Sequence, residues 1–407
     1  MGPPLRRRRR CGRAAVLRVP LLRAPDAQAA HRPPPRAAGR DGGVVQAPAR
    51  EVEAEAEDAE PAIISGLHRR RPLAAGESEE ADGGGGARIK LIENLDEVSG
   101  DAWDACAGFD NPFLAYDFLH SLEVAGTVTA QTGWLPQHVV VEDDAGGLLA
   151  AVPLYLKGHS QGEYVFDYGW ARAFERAGGR YYPKLISAVP FTPVPGPRLL
   201  IRPDQDRAHM RELLVAGLIE AVRVHDVSSL HLNFLPEDDA AALGERGFLR
   251  RVGLQYHWHN HGYGHFDDFL GDLASRKRKA IRKERREVAN LDVDIRLATG
   301  SDLRESDWDA FFRFYIDTSD RKWGAPYLNR AFFSLLGERM ADRVLLVLAE
   351  SQGRPVAGAL NLIGGDTLYG RNWGCVADFK FLHFELCYYQ AIDFAVSYTH
   401  LTLPTKA

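Results

Sequence analysis

The sequence predicts an α/β (α+β) protein in which one unit of helices over a sheet occurs twice, the second time incompletely. Three observations carry this expectation: an internal repeat within residues 88–396, spacings that alternate between helical and strand periods, and a compositional break near residue 87. The 407 residues have room for two ordinary domains, and 45% hydrophobic with 26% charged residues suits a globular protein with a real core.

The repeat is read element by element. Ala102-Trp103-Asp104-Ala105 returns as Asp307-Trp308-Asp309-Ala310. Pro112-Phe113-Leu114, leading into Phe118-Leu119-His120-Ser121-Leu122, returns as Pro326-Tyr327-Leu328, leading into Phe332-Phe333-Ser334-Leu335-Leu336. Strand, turn and strand at 139–141, 143–147 and 149–156 match 344–349, 351–355 and 356–363, with glycine in each turn. A helical stretch over 212–221 matches 385–394. In the first copy a strand at 229–234, a helix and a strand at 253–260 follow, whereas the second copy ends at its helix. By symmetry, roughly fifty further residues are expected for the second copy. The mixed order of each unit implies helices covering a sheet.

Both ends differ from the repeat. Residues 1–87 open with the run Arg6 to Arg10, continue rich in Arg, Ala, Pro and Gly, and carry an acidic run over 51–60 and Gly83 to Gly86. Such composition buries too little apolar surface to offset the cost of ordering it, so a disordered extension is expected. It reads either as an Arg-rich targeting or nucleic-acid-binding tail, or as GC-rich DNA translated upstream of the true start. No Lys precedes Lys90. The last residues, 397–407, resemble a translated sequencing adapter and are expected to be a non-native tail. The organisation expected is therefore an extension at 1–87, a first domain at 88–262, a basic linker helix at 263–291, a second, truncated domain at 292–396, and the tail.

Several classes are excluded. The four cysteines lie far apart without ligand spacing, which argues against a zinc site or a disulfide framework and for a reducing compartment. No stretch of about 18 uninterrupted apolar residues occurs, and no hydrophobic leader opens the chain. A cytoplasmic location is the expectation. The net charge of −5 decides nothing about polyanionic partners, and oligomeric state cannot be read.

The order of elements, duplicated, resembles the GNAT acyltransferases in tandem form, as in FemAB-type peptidoglycan aminoacyltransferases and the bacterial FemAB-like family of predicted N-acyltransferases. The stretches that carry the resemblance are Tyr181-Tyr182-Pro183-Lys184-Leu185, Pro190-Phe191-Thr192-Pro193, Tyr256-His257-Trp258-His259-Asn260 and Ser275-Arg276-Lys277-Arg278-Lys279. Further on come Lys322-Trp323-Gly324, Gly358-Ala359-Leu360-Asn361, Leu368-Tyr369-Gly370-Arg371, and His383-Phe384-Glu385-Leu386-Cys387-Tyr388-Tyr389. The resemblance implies an enzyme that transfers an acyl or aminoacyl group to an amine of a small molecule or a peptidoglycan precursor. Acyl-CoA enzymes of this class hold the donor pyrophosphate on a glycine loop at a helix N-terminus. The matching positions, 378–383 and 204–207, lack those glycines. The donor stays open between acyl-CoA and aminoacyl-tRNA, with tRNA a possible partner. A non-catalytic module recognising peptidoglycan precursors or RNA is the alternative.

Acyl transfer to an amine needs a base, oxyanion donors and an acid for the leaving group. His383 and Glu385, at the start of the helix that faces the donor in such folds, are candidates for proton transfer, against a capping or packing role. Tyr369 and Arg371 share a strand face by alternation; Tyr369 joins the catalytic candidates, and Arg371 could hold a carboxylate or phosphate bidentately. Lys322 and Trp323 could clamp a substrate. Tyr181, Tyr182 and Lys184 precede a long Pro-rich connection over 190–197, and aromatics there suit a sugar or peptide acceptor. Arg276, Lys279, Arg282 and Lys283 share one face of the helical stretch 275–286, with Ile281 pointing inward, and form a candidate phosphate site against a solvated linker face. His257 and His259 lack a third ligand nearby, and no metal site is expected.

Overall fold

Helices covering sheets of mixed order, as expected from the sequence, make up the described chain. The computed structural model describes residues 17–20, 86–321 and 325–401. All of these belong to one compact unit. The rest of the expected extension, the tail from residue 402 on, and Lys322 and Trp323 lie outside the described residues.

The first half begins with β1 (Leu17–Pro20), which pairs antiparallel with β2 (Gly86–Ile92). Helices α1 (Gly100–Ala107) and α2 (Tyr116–Val124) follow, α1 opened by Ser99, whose hydroxyl accepts from the Ala102 N–H. The chain then runs through β3 (Trp134–Pro136), β4 (His138–Glu142), β5 (Leu148–Val152) and β6 (Tyr155–Lys157). The hairpin expected at 139–156 forms, but it divides between two sheets. Strands β4 and β5 pair in one and β3 and β6 in another, and Gln137 N–H still donates to Leu154 O at 2.8 Å across the division.

After α3 (Tyr168–Arg176) come β7 (Lys184–Ser187), β8 (Leu200–Ile201), α4 (Arg207–His225), β9 (Leu230–Leu232) and α5 (Glu237–Glu245). One sheet has the order β1-β2-β4-β5-β8, the other β3-β6-β7-β9 with β7 and β9 parallel. Val139 and Val141 face α4, while Val140 faces α1 and α2. Both faces of β4 are covered, which is why it reads as a continuous apolar run rather than an alternation. At Gly217 of α4 a Cβ would lie 2.7 Å from Val139, so only glycine lets the helix approach this closely.

Residues 253–260, expected as a strand, form no strand. Their period-two apolar pattern is present, but no neighbouring strand pairs with it among the described residues, and Val252, Leu254 and Tyr256 stand exposed.

Helices α6 (Phe266–Asp272) and α7 (Ser275–Ala289) lead to β10 (Asp294–Ala298), α8 (Glu305–Arg321), α9 (Arg330–Met340), β11 (Val344–Ser351), β12 (Arg354–Ile363) and β13 (Leu368–Cys375). The last helical stretch runs from α10 (Leu382–Phe384) through a π-helical turn at Glu385–Tyr389 into α11 (Gln390–Leu401). The sheet order is β10-β11-β12-β13, all antiparallel. The order strand, two helices, hairpin thus occurs twice, at β2 to β5 and at β10 to β12.

One apolar core spans both halves. Trp103, Phe113 and Phe118 of the first and Trp308, Phe311, Phe332 and Phe333 of the second belong to the same buried cluster. Phe118 meets Phe332 edge-on at 5.7 Å where α2 packs on α9. Polar ties close the seam: Asn329 Nδ2 donates to Ala125 O at 2.6 Å and Gly365 N–H to Asp110 O at 3.0 Å.

A core shared in this way predicts that Phe332→Ala lowers stability by about 3–5 kcal/mol. The two halves should still melt in one transition, as followed by calorimetry and near-ultraviolet dichroism. Two resolved transitions in the wild type would contradict the shared core.

Candidate functional site

Strand β13 carries the residue on which the site turns. Leu360 pairs with Asn372 and Asn361 with Gly370, so Arg371 is the extra residue of a β-bulge. The bulge changes what each side chain faces. Tyr369 lies with the shared core, edge-on to Phe113 at 5.4 Å, whereas Trp373 packs in the cluster on the opposite face of the sheet. The guanidinium of Arg371 stays on the shared-core side, 5.7 Å from the Phe118 ring and 5.8 Å from Phe332.

Arg371 donates to Asn372 Oδ1 at 2.5 Å and, across the seam, to Thr192 Oγ1 at 3.1 Å. Its Nε meets no acceptor. No carboxylate pairs with it among the described residues, and burial pulls its pKa below the usual range. A guanidinium removed from water without a counter-anion is costly.

The first half supplies the facing wall. Phe191 stacks on Tyr327 at 5.0 Å, with the rings within 10° of parallel. Phe191 and Tyr164 both have positive φ, 57° and 56°, a conformation that bulky residues adopt only when their surroundings impose it. The imposing contacts are visible. Gly162, at φ 78°, leaves no room for a Cβ beside Phe191. Arg198, fully buried, donates to the carbonyls of Val194, Gly196 and Pro197 and fixes the Pro-rich connection from inside. A small pocket of about 90 Å³ opens here, lined by Trp134, His159, Gln161, Phe191, Pro326 and Tyr327 among others.

Behind this wall lies a buried ionic cluster. Lys184 Nζ donates to Glu163 Oε2 at 2.8 Å, Asp167 Oδ2 at 2.5 Å and Ser160 Oγ at 2.9 Å. Tyr181 OH donates to Asp167 Oδ2 at 2.7 Å, and Tyr182 shares a 2.7 Å hydrogen bond with Ser160. Burial alone would raise Asp167, but hydrogen bonds from Lys184, Ser160 and Tyr181 outweigh it and hold its carboxyl below the usual range. Burial wins at Glu163, which is raised although Lys184 opposes it. Burial and Lys184 together push His231 down to about 4. The cluster ties segment 160–167, and with it Tyr164, to β7.

The residues expected from sequence fall into separate places. Tyr369 and Arg371 lie at the seam, while Tyr181, Tyr182 and Lys184 form the cluster behind it, where Tyr181 and Lys184 are buried. His383 is exposed on the other face of the β13 sheet, its ring 5.1 Å from that of Trp373. Glu385 is buried on the π-helical turn and held by Arg285 at 3.1 Å and Gln390 at 2.8 Å. The structure does not bring His383 and Glu385 together with Arg371.

On α7, Arg276, Lys279, Arg282 and Lys283 are exposed, and Ile281 packs toward Phe266 and Leu270. Arg282 pairs with Asp267 at 2.9 Å and Lys283 with Glu287 at 3.6 Å, while Arg276 and Lys279 have no ion pair among the described residues. No group of three or more His, Cys, Asp or Glu poised for a metal ion occurs among the described residues. Among the described residues no helix is long and apolar enough to cross a membrane.

Sequence reasoning missed Tyr164 and Tyr315, and read Phe191, Thr192 and Tyr327 only as parts of motifs. The Pro190-Phe191-Thr192-Pro193 run was the one available signal for Thr192. Nothing local marks Tyr164.

The fold and seam define a mixed α/β protein with several sheets and an uncompensated cation between its halves. The sequence matches the FemAB-like family, described as peptidoglycan biosynthesis/recognition, over residues 94–403, and the chain belongs to that family. Among curated proteins none matches. Among solved structures, a crystal structure of FemX is similar at 12% identity and TM-score 0.45, covering 77% of this chain and 86% of that one. A conserved protein of unknown function from Bacteroides thetaiotaomicron VPI-5482 is similar at 12% identity and TM-score 0.42, covering 74% and 85%.

The cluster yields a pH prediction. Lys157 is buried with its ammonium 3.8 Å from the Trp134 ring centroid, and burial lowers its pKa from 10.5 to about 7. Between those values the unfolded chain binds a proton that the folded chain lacks, so this group's contribution makes stability rise with pH. The slope should approach about 1.4 kcal/mol per pH unit. Urea unfolding at pH 7.5 and 9.5 should show that rise in the wild type and lose it in Lys157→Met; equal slopes would contradict it.

Proposed function

We propose that this chain is an N-acyltransferase that modifies an amine of a peptidoglycan precursor, with a carboxylate or phosphate of that precursor held by Arg371. The observation that carries the reading is Arg371, half-buried in the seam with its guanidinium beside Phe118 and Phe332, its Nε without an acceptor, and no acidic partner among the described residues. An anionic ligand group would supply the missing charge, and Thr192 and the Tyr164 hydroxyl would orient it. Membership in the FemAB-like family supplies the substrate class.

In the reaction proposed, the precursor amine attacks the acyl carbon of the donor. The C–N bond forms, the C–O bond of an aminoacyl-tRNA ester or the C–S bond of an acyl-CoA breaks, and the amine's proton passes to the departing oxygen or sulfur. Burial raises the pKa of Tyr164, although Arg371 opposes it, and burial likewise raises Tyr369. Both hydroxyls therefore stay protonated at neutral pH and suit donation to the oxyanion or leaving group rather than the role of base. His383 and Glu385 do not enter this proposal. The exposed face of α7, where Arg276 and Lys279 have no acidic partner among the described residues and Arg282 and Lys283 flank them, is the place proposed for the donor's phosphates; because α7 packs on the turn that holds Glu385, such a donor has to reach round the sheet to the seam. The tandem GNAT architecture is part of the same reading, supported by the twofold occurrence of strand, two helices and hairpin.

The test is to incubate the protein with a soluble nucleotide-linked precursor and either mixed aminoacyl-tRNA or acyl-CoA, reading product mass. One donor should give an acylated precursor. Arg371→Met should lower kcat/KM for the precursor by about 30- to 1,000-fold, the loss expected when a buried charged contact is removed. Donor binding should be unchanged. Precursor binding without turnover of either donor would make the chain a recognition module instead.

A further inference from the structure

The connection between β6 and β7 carries a feature that the seam does not use. On helix α3, Trp170, Ala173 and Phe174 fall on one side and Arg172, Glu175 and Arg176 on the other. The apolar side of such a helix ordinarily turns inward. Here Ala171 is the one buried residue of the helix. Trp170 is 65% exposed, Phe174 45%, Tyr168 46% and the preceding Phe166 76%. The helix is held by its ends instead: Asp167 is locked onto Lys184 and Tyr181, and Phe174 touches the Tyr181 ring edge-on at 6.1 Å.

A second exposed stretch adjoins it. Arg251 Nη2 donates to Phe166 O at 3.2 Å and brings Leu249, Val252, Leu254 and Tyr256 beside the helix, each more than three-quarters exposed. Arginines are interleaved with these side chains. Arg180 and Arg250 are paired with Asp226 and Glu237, but Arg172, Arg176 and Arg251 have no acidic partner among the described residues.

We infer that this surface docks on an anionic lipid bilayer. Tryptophan, tyrosine and phenylalanine on a displayed amphipathic helix settle at the boundary between headgroups and acyl chains, and arginine reaches lipid phosphate from the same depth. The charge argues for lipid over a second copy of this chain: the exposed carboxylates of Asp226 and Glu237 are already taken by arginine, and Glu175, the one carboxylate of the helix without an ion pair among the described residues, is outnumbered by Arg172, Arg176 and Arg251, which leaves a net positive surface. Docking of this kind needs no membrane-spanning segment.

Flotation of the full chain with vesicles of phosphatidylglycerol or of phosphatidylcholine tests this. Binding to the anionic vesicles is expected, with binding to the zwitterionic ones much weaker. Trp170→Ala/Phe174→Ala should lower vesicle affinity by about ten-fold or more, and Trp170→Ala alone, at the more exposed of the two positions, should weaken binding without changing the melting temperature. Arg172→Ala/Arg176→Ala should weaken binding and its salt dependence. Lipids brominated near the headgroup should quench the protein's tryptophan fluorescence, and Trp170→Phe should bind yet lose that quenching. Anionic binding that persists unchanged in Trp170→Ala/Phe174→Ala would be carried by arginines elsewhere and would overturn the inference. So would lipid-independent self-association abolished by the same variant.

Discussion

A cation held in an apolar seam without an anion is the constraint on which the account of this protein rests. The Arg371 guanidinium lies between Phe118 and Phe332, one ring from each half, and donates across the seam to Thr192. Were the halves independent domains, that position would open to water and the charge would be solvated. Because a single core runs through α2 and α9, the arginine is kept where ionisation is disfavoured. Neutral acceptors satisfy part of the fork and leave Nε free. Arg198 is also buried without an anion among the described residues, but three backbone carbonyls engage it; at Arg371 only two side-chain oxygens satisfy part of the fork, which leaves room for an anionic ligand group.

The rest of the first half holds the wall opposite that charge. Lys184 gathers Glu163, Asp167 and Ser160, and so anchors the segment on which Tyr164 sits in a left-handed conformation. Arg198 fixes the Pro-rich connection that bears Phe191 and Thr192. The strain at Tyr164 and Phe191 is imposed by these anchors and is located where the ligand is proposed to bind. The same cluster fixes the root of α3, so one buried lysine supports both the seam and the displayed aromatic helix.

Much of the scaffold is legible in the sequence because its signals are local. The hairpin at 344–363, helix α4 and the basic helix α7 follow from periodicity and turn glycines. What escapes is set by tertiary context. The bulge at Arg371 leaves no mark in an alternating strand, and positive φ at a tyrosine or phenylalanine has no residue signature. Lys184 is separated from Glu163 by 21 positions and from Asp167 by 17, so their pairing is invisible to any window. Residues 253–260 show the reverse failure: the strand pattern is there, but a strand needs a partner, and none is described. His383 and Glu385 were singled out for standing at a helix start. In three dimensions that helix packs on the far face of the sheet from Arg371, and Arg285 engages Glu385.

The measurement that bears most directly on the central claim is calorimetric titration of a peptidoglycan-precursor peptide into the wild-type protein and Arg371→Met. It should be repeated with the precursor's carboxylates amidated and its phosphates removed. Saturable binding that is lost both on neutralising the ligand's anionic groups and on removing the guanidinium is the predicted result. Equal affinity of the two proteins for the charged ligand would show that Arg371 holds no anion, and the seam would then be a structural joint rather than a site.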